Sequence, residues 1–436
     1  MNIRVDKVTR VEGHGTLVLH SENGVVRDVR FDVVEALRFF EMMLVGRWWD
    51  RVSEIASRIC GICAVAHTLA SIRATEAAMG IEPSEQTLKL RKIAMHGEVI
   101  QSNSLHAFYL AGPDYFGKPD VFHMFEEYPD LVRLALRVKA LGNLLSETIG
   151  GRHVHPLALT VGGLTRLPPK EKLAALLPKL QQCRKDLFDS LPVIRKVELP
   201  DLERPTEYVA LTHPDEYALY DGDIKSSASD TVIPKRDYLH VVHEFMIPTS
   251  TAKHSHGFSG GPYMVGALAR FNLNYDRLSP NAKQAAAELG MAPPVHRPYM
   301  ITLAQLVECV HCVDDAERLV GELLSAGLNH EEPRALVKGG RGVGIVEAPR
   351  GMLIHDYTYD DGARITAANQ VIPTNQNLAN LQADLREIAP RIIRRPEDDV
   401  RLKLEMLVRA YDPCISCSTH VLEMTNGACD DIRASR

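Results

Sequence analysis

Arg58-Ile59-Cys60-Gly61-Ile62-Cys63 near the beginning of the chain and Asp412-Pro413-Cys414-Ile415-Ser416-Cys417-Ser418-Thr419-His420 near its end decide how the sequence must fold. Each stretch contains one C-x-x-C pair, and about 350 residues with few cysteines separate the two pairs. Thiolates are soft ligands that bind zinc, iron–sulfur clusters and redox-active late transition metals. Four such ligands can share one site only if distant parts of the chain meet. The sequence therefore predicts a fold that closes around a four-sulfur metal site.

The spacing alone leaves three interpretations open: a buried catalytic metal centre, a zinc or iron–sulfur site, and thiols without a metal. Zinc ribbons keep their cysteine pairs within about 15 to 20 residues, because small modules use the metal to close a short loop. The much larger separation here favours a catalytic centre. Cys309 and Cys312 form a further C-x-x-C inside a helical pattern. We interpret them, with Cys183, as packing thiols, because free cysteine commonly behaves as a small hydrophobe.

The composition is that of an ordinary globular protein, with 436 residues of which 45% are hydrophobic and 24% charged. The formal net charge of -6 provides no basic surface for nucleic acid. The first residues lack the apolar core of a secretory signal, and charged residues interrupt the apolar stretch 36–49. We therefore expect a cytoplasmic protein with reduced thiols and without a direct membrane span.

Local patterns predict an α+β fold that is predominantly helical. It has a central bundle of long helices and small β segments near the N-terminus, in the middle and in the C-terminal third. A turn at Asn23-Gly24 predicts an N-terminal hairpin. A helix over Cys60–Met79 would place Cys63 and His67 on one side. Helical spacing also begins at Glu35, where the predicted apolar face contains Ala36, Phe39, Phe40, Met43 and Leu44.

Residues 1–420 are predicted to form one intertwined domain, because both ends of this range contribute to the metal site. Its parts are a β-hairpin at 3–34, a helical core at 35–190, a mixed segment at 200–275, helices at 280–328, a β segment at 340–374, and C-terminal helices with the metal motif at 375–420.

Further motifs accompany the two cysteine stretches, namely Arg10-Val11-Glu12-Gly13-His14, Glu347-Ala348-Pro349-Arg350-Gly351 and Val371-Ile372-Pro373-Thr374. Together they resemble the signature motifs of the large, catalytic subunit of nickel–iron hydrogenases, over nearly the whole chain. Residues 252–256 and 262–266 are most similar to cytosolic, NAD(P)-linked enzymes with a sulfhydrogenase-type alpha subunit. The resemblance implies reversible heterolytic cleavage of dihydrogen to protons and electrons, and the large-subunit fold of that family.

The resemblance also implies the ligands of a nickel–iron centre. Cys60 and Cys414 would be terminal nickel ligands, whereas Cys63 and Cys417 would bridge nickel to an iron that carries cyanide and carbon monoxide. Such a pair of metals can polarise and split dihydrogen. The proton then needs a base, and the Cys414 thiolate is the nearest candidate.

Other candidate catalytic residues follow from the same resemblance. Glu12 resembles the glutamate that passes the proton outward, Arg350 the arginine held over the metals, and Thr374 a donor to cyanide. His67 would donate to a bridging sulfur and tune its basicity. From local sequence alone, Glu12 is also compatible with a helix or turn cap, Arg350 with a strand-end salt bridge, and His67 with core packing.

One departure from the family concerns the surroundings of Arg350. Many relatives have an aspartate where Ser102 stands in this sequence. Asp412 is then the only flanking aspartate predicted beside Arg350.

A second ion and a processing step are implied near the C-terminus. Glu41 and His420 resemble ligands of magnesium or a similar divalent ion, with a backbone carbonyl near Asn369 completing the site. Residues 421–436 resemble the extension that a maturation endopeptidase removes after nickel-insertion factors have acted.

The partners implied are diaphorase subunits that bind flavin and NAD(P), together with a small iron–sulfur subunit. The glycine run 339–344 lacks a following helix, so it predicts no dinucleotide site in this chain. Alternatives are a hydrogenase linked to another carrier, such as a deazaflavin coenzyme or a heterodisulfide, and a noncatalytic relative, such as the quinone-module subunit of respiratory complex I. A metal-stabilised interaction protein with zinc is a third possibility.

Overall fold

The computed structural model describes residues 1–333 and 337–419. The predicted fold class is confirmed, because long helices form the centre and small sheets lie around them. The α-helices are α1 (Phe40–Leu44), α2 (Trp49–Ala56), α3 (Ala64–Met79), α4 (Glu85–Ser104), α5 (Gly112–Tyr115), α6 (Val121–Glu127), α7 (Pro129–Gly150), α8 (Lys170–Ala174), α9 (Leu177–Ile194), α10 (Ala267–Asn274), α11 (Pro280–Glu288), α12 (Ile301–Ala326), α13 (Pro373–Ile392), α14 (Glu397–Ala410) and α15 (Ile415–Ser418).

The strands form small sheets of two to four members. They are β1 (Asn2–Val5), β2 (Gly15–Glu22), β3 (Val25–Val33), β4 (Leu159–Thr160), β5 (Gly163–Leu164), β6 (Glu207–Thr212), β7 (Asp223–Ser226), β8 (Val232–Ile233), β9 (His243–Phe245), β10 (His254–His256), β11 (Tyr263–Met264), β12 (Gly340–Ala348), β13 (Gly351–Tyr359) and β14 (Ile365–Val371). Two antiparallel meanders, β1-β2-β3 and β12-β13-β14, contribute residues next to the cysteine motifs.

The bundle centre is α4, which packs along α7 and α12, while α9 packs against α7 and α12. A short π-helical segment, Leu105–Leu110, continues α4. Apolar side chains from these helices form the main buried cluster, and the four motif cysteines belong to it. The metal motifs therefore lie inside the main core.

Helix α3 packs unusually close to strand β12. A Cβ atom on Gly344 would lie 2.1 Å from the Ala70 carbonyl oxygen, and one on Gly342 would lie 2.1 Å from the Ala74 carbonyl oxygen. Glycine on the strand and alanine on the helix allow this contact between two backbones. The contact fixes the position of α3, which begins immediately after Cys63.

The helix predicted from Glu35 is wrong in its extent. Helix α1 covers only Phe40–Leu44, and Phe39 adopts a left-handed conformation with φ 57°. The backbone N–H of Arg38 instead donates to the Thr419 carbonyl at 3.4 Å, so contact with the C-terminal motif replaces helix formation. Of the predicted apolar face only Leu44 is buried.

The helix predicted from Cys60 begins four residues later, at Ala64. Cys60 has extended backbone angles, φ −142° and ψ 142°, so the first cysteine pair lies in the loop before α3. The N–H of His67 still donates to the Cys63 carbonyl at 3.2 Å, which places the two residues one turn apart as predicted.

Among the described residues, no helix combines the length and apolar character that crossing a bilayer requires. His420 and the extension 421–436 lie outside the described residues.

The glycine contact gives a first prediction. Gly344→Ala should destabilise the chain by about 1–3 kcal/mol, because the methyl group meets backbone atoms that cannot move aside. Gly321→Ala in α12 is the matched control: a Cβ there meets no atom within 4 Å, so the change should stabilise by about 0.5–1 kcal/mol. Urea unfolding of both variants measures this difference, and equal unfolding midpoints would contradict it.

Candidate metal centre

The four motif cysteines meet in the core. Their sulfur atoms all lie within 4.8 Å of one another, and all four side chains are buried. Cys60 Sγ lies 3.6 Å from Cys414 Sγ, and Cys63 Sγ lies 3.7 Å from Cys417 Sγ. Each N-terminal cysteine thus faces the corresponding member of the C-terminal pair.

These thiols fit a thiophilic metal. A metal–sulfur bond of about 2.3 Å with tetrahedral angles places neighbouring sulfurs about 3.8 Å apart, close to the separations between the two pairs. Cys414 and Cys417 are closer, at 2.8 Å. The donor set is all sulfur, which suits a soft late transition metal better than a hard cation.

Arg38 joins the two loops that carry the cysteines. Its Nη1 donates to the Ile59 carbonyl at 2.5 Å and to the Ser416 carbonyl at 3.0 Å, and its Nη2 donates to the Arg58 carbonyl at 3.2 Å. One guanidinium therefore holds both motifs in register.

Burial and hydrogen bonding shift the pKa values of Cys60 and Cys417 in opposite directions. Burial opposes ionisation of Cys60, but hydrogen bonds from Cys414, Cys417 and Cys63 outweigh it and hold the pKa of Cys60 well below its usual range. Burial raises the pKa of Cys417 well above it. Metal binding would have to displace protons from such thiols, since the thiolate is the ligand.

Glu12 lies directly beside Cys414. The Cys414 thiol donates to Glu12 Oε2 at 3.2 Å, and the Ser416 N–H donates to the same oxygen at 2.9 Å. The Ser416 hydroxyl donates to Oε1. The backbones also pair, with the Ile415 N–H donating to the Glu12 carbonyl at 2.9 Å. Glu12 is half-buried, so its carboxylate lies between the thiols and the protein surface.

Arg350 is buried beside the thiols. Its Nη2 donates to Asp412 Oδ1 at 2.9 Å, and its Nε donates to the Asp412 carbonyl at 2.7 Å. Its Nη1 donates to the Ser102 hydroxyl at 3.3 Å. A neutral serine therefore contacts Arg350 at the position where many relatives are expected to have an aspartate. Burial alone would lower the pKa of Arg350, but Asp412 and the cysteine sulfurs outweigh burial and raise it.

His67, Thr374 and Arg350 line a small cavity together with Cys63, Cys414 and Cys417. The Thr374 hydroxyl accepts a hydrogen bond from the Cys414 N–H at 2.9 Å, which leaves its own proton available. His67 Nε2 is buried without a hydrogen-bond partner among the described residues. Burial lowers the pKa of His67 to about 4, so its imidazole is neutral near pH 7.

Glu98 supports the first cysteine loop and was not identified from the sequence. Its carboxylate accepts the N–H groups of Val65 at 2.6 Å and Ala66 at 3.0 Å, at the beginning of α3. Burial raises the pKa of Glu98 to about 8, against these hydrogen bonds. An acidic residue within the mostly apolar stretch 93–100 was the available signal.

Ser416 and Arg38 were also missed. Ser416 is one of the two residues between the cysteines of the second C-x-x-C, and the sequence does not reveal its contact with Glu12. Arg38 lies between the apolar pairs Ala36-Leu37 and Phe39-Phe40, and this charge could have indicated a partly buried role.

The predicted second ion site is only partly described. Glu41 Oε1 accepts the Gln370 N–H at 2.8 Å, so Glu41 lies next to the residue that follows Asn369. His420, the other predicted ligand, lies outside the described residues.

The remaining described cysteines lie apart from the four-sulfur group. Cys309 and Cys312 are fully buried on α12, and Cys183 is buried on α9. Burial raises the pKa of all three thiols. Their surroundings are those of packing residues.

Comparisons with known proteins agree with this geometry. A family model described as nickel-dependent hydrogenase matches residues 38–130 and 216–420, and one described as HoxL-like matches residues 2–36. The alpha subunit of sulfhydrogenase 2 from Pyrococcus furiosus is 36% identical over 435 residues, covering 97% of this chain and 100% of that protein. The corresponding chain of the F420-non-reducing hydrogenase from Methanothermobacter thermautotrophicus is 31% identical over 459 residues, covering 97% and 95%.

A solved structure is similar over the whole fold. The crystal structure of an NAD+-reducing NiFe-hydrogenase in the H2-reduced state has a TM-score of 0.88 and 28% identity, covering 96% of this chain and 99% of that one.

The grouping of four cysteines gives a second prediction. Cys417→Ser should abolish stoichiometric metal binding, because a hydroxyl is a poor substitute for a soft thiolate. Cys312→Ser is the matched control: it changes an equally buried thiol outside the group and should leave the metal content unchanged. Elemental analysis for nickel, iron and zinc decides the result, and equal metal content in both variants would contradict the assignment.

Proposed function

Because this chain belongs to the nickel-dependent hydrogenase family, in which it is a catalytic subunit, we propose that it cleaves dihydrogen reversibly into protons and electrons at a nickel–iron centre. The observation that carries this proposal is the group of four buried thiols within 4.8 Å. The roles proposed for individual residues rest on the contacts around that group.

Cys60 and Cys414 would be the terminal nickel ligands, and Cys63 and Cys417 would bridge to iron. The pairing of Cys60 with Cys414 and of Cys63 with Cys417 supports this division. When bound, such a centre supplies the heterolytic splitting of dihydrogen, with iron carrying cyanide and carbon monoxide ligands. The surrounding side chains would transfer the proton and stabilise the charge at the centre.

Cys414 and Glu12 would form the first step of the proton path. Cys414 Sγ holds the proton and passes it to Glu12 Oε2 at 3.2 Å, a distance over which direct transfer is possible. Two hydrogen bonds from Ser416 keep the carboxylate facing the thiol. Because Glu12 is half-buried, it can release the proton toward solvent.

Arg350 and Thr374 would bind the diatomic ligands. Arg350 stays charged beside Asp412 and contributes positive charge at the cavity wall. The Thr374 hydroxyl, which already accepts from the Cys414 N–H, retains one proton to donate to cyanide. Glu41 and His420 would bind magnesium or a similar ion, and removal of residues 421–436 after His420 would complete maturation.

Electrons would leave through a small iron–sulfur subunit toward NAD(P), through diaphorase subunits. The names of the sulfhydrogenase relatives, which are alpha subunits, support an assembly of several chains. The similarity to an NAD+-reducing enzyme supports the carrier. Because Gly340–Ala348 is a strand rather than a phosphate-binding turn before a helix, the nicotinamide site belongs on another chain of the assembly.

Metal and ligand analysis tests the proposal. The protein co-expressed with its maturation factors should contain about one nickel and one iron per chain, and its infrared spectrum should show cyanide and carbon monoxide bands. Its intact mass should lack residues 421–436. Zinc alone, or the absence of nickel from the processed chain, would refute the proposal.

Glu12→Gln tests the proton path. The amide keeps the size of the side chain but cannot take up the proton, so hydrogen–deuterium exchange should fall by about 10²–10⁴-fold. Glu35→Gln is the control, since Glu35 is a carboxylate that accepts from His14 rather than from a cysteine. Nickel content should be unchanged in both variants. Loss of nickel from Glu12→Gln would contradict the assigned role.

A further inference from the structure

We propose that His355 and Tyr357 are positioning residues for His67, holding its imidazole so that the Nε2 proton is directed at the cysteine sulfurs. This inference rests on the proposed function and extends it to two residues on β13 that do not line the cavity.

The three side chains form a buried row of hydrogen bonds. His67 Nδ1 lies 3.2 Å from His355 Nε2, and His355 Nδ1 lies 2.5 Å from the Tyr357 hydroxyl. All three residues are fully buried, so water does not compete for these contacts. The free end of the row is His67 Nε2, which has no hydrogen-bond partner among the described residues.

The row exists because of how α3 meets β13. His355 and Tyr357 are two apart on a strand and therefore face the same side, while His67 and Ser71 are four apart on α3 and share one helix face. These faces are in contact across the interface. The Tyr357 hydroxyl reaches Ser71 Oγ at 3.3 Å, which closes the row at its far end.

Hydrogen bonds along the row can run in two directions, since a neutral imidazole carries one proton. In one direction Tyr357 donates to His355 Nδ1, His355 Nε2 donates to His67 Nδ1, and His67 Nε2 carries a proton. In the other direction every donor is reversed, and a lone pair on His67 Nε2 faces the sulfurs.

Two observations favour the first direction. The thiolates needed as metal ligands are acceptors, and a buried lone pair pointing at them would be repelled and unpaired. The Tyr357 oxygen accepts a hydrogen bond from Gln370 Nε2 at 3.4 Å. Its single proton can be donated to Ser71 Oγ at 3.3 Å or to His355 Nδ1 at 2.5 Å, and the nearer imidazole nitrogen is the stronger acceptor. The two ends of the row therefore agree.

The row orients a proton rather than exporting one. Its far end reaches Tyr357, Ser71 and Gln370, all of them fully buried. Partners beyond a ligand that fix a histidine tautomer change metal properties by altering the basicity of the ligand. A proton on His67 Nε2 withdraws electron density from the thiolate that accepts it, and this should raise the stretching frequencies of the diatomic ligands on iron.

The test uses the holoenzyme assembled with its partner subunits and measures infrared bands, nickel content and hydrogen–deuterium exchange. His355→Leu and Tyr357→Phe should shift the carbon monoxide and cyanide bands to lower frequency and reduce exchange by about 10–100-fold, with nickel retained. His355→Gln should restore the wild-type bands, because the glutamine amide can donate from the position of Nε2.

Tyr359→Phe is the matched control. Tyr359 is buried on the same strand, and its hydroxyl lies 2.7 Å from Thr75 Oγ1, outside the row. Its removal should leave the bands unchanged.

Wild-type bands in both His355→Leu and Tyr357→Phe would overturn the inference, as would an equal shift in Tyr359→Phe. If His355→Leu does not assemble, Tyr357→Phe alone decides. A wild-type enzyme without nickel and without diatomic bands would refute the proposed function, and the inference with it.

Discussion

The whole structure depends on bringing four thiols from opposite ends of the chain to within 4.8 Å of one another in the core. The backbone contact between Glu12 and Ile415 joins the two ends directly. Arg38 then binds carbonyls of both cysteine loops. Because loop closure over so long a separation costs conformational entropy, the intervening residues must form a core large enough to offset that cost. The bundle of α4, α7 and α12 supplies it.

Burial of charge is the second constraint around the thiols. Arg350 is stabilised inside the protein by the Asp412 carboxylate and carbonyl. Arg270 is fully buried as well; it pairs with Glu308 and Glu347 and donates to the carbonyls of residues 348 and 349, just before Arg350. Breaking such a buried pair leaves an uncompensated charge. The Arg350 guanidinium is thus held in one position by Asp412, and buried charged groups also hold the backbone just before it.

The interface between α3 and the β12–β13 hairpin connects packing with chemistry. Glycine at Gly342 and Gly344 lets the helix approach the sheet so closely that His67 reaches His355. A wider interface would separate these rings and break the buried contact between His67 Nδ1 and His355 Nε2, which costs free energy. The glycines in this interface therefore determine which side chain lies beside His67, a residue that lines the cavity with the candidate cysteine ligands.

The sequence by itself was sufficient to identify the four candidate thiol ligands, the family and the fold class. Residue types define the ligand chemistry, and the order and spacing of residues define the motifs and the local patterns. The sequence also indicated Glu12 and Arg350. It failed for the segment before Phe40, where helical periodicity was overridden by a contact with Thr419. Only the tertiary structure decided that Arg38 joins the motifs and that His355 faces His67, since both contacts link residues remote in sequence whose local patterns carry no sign of each other.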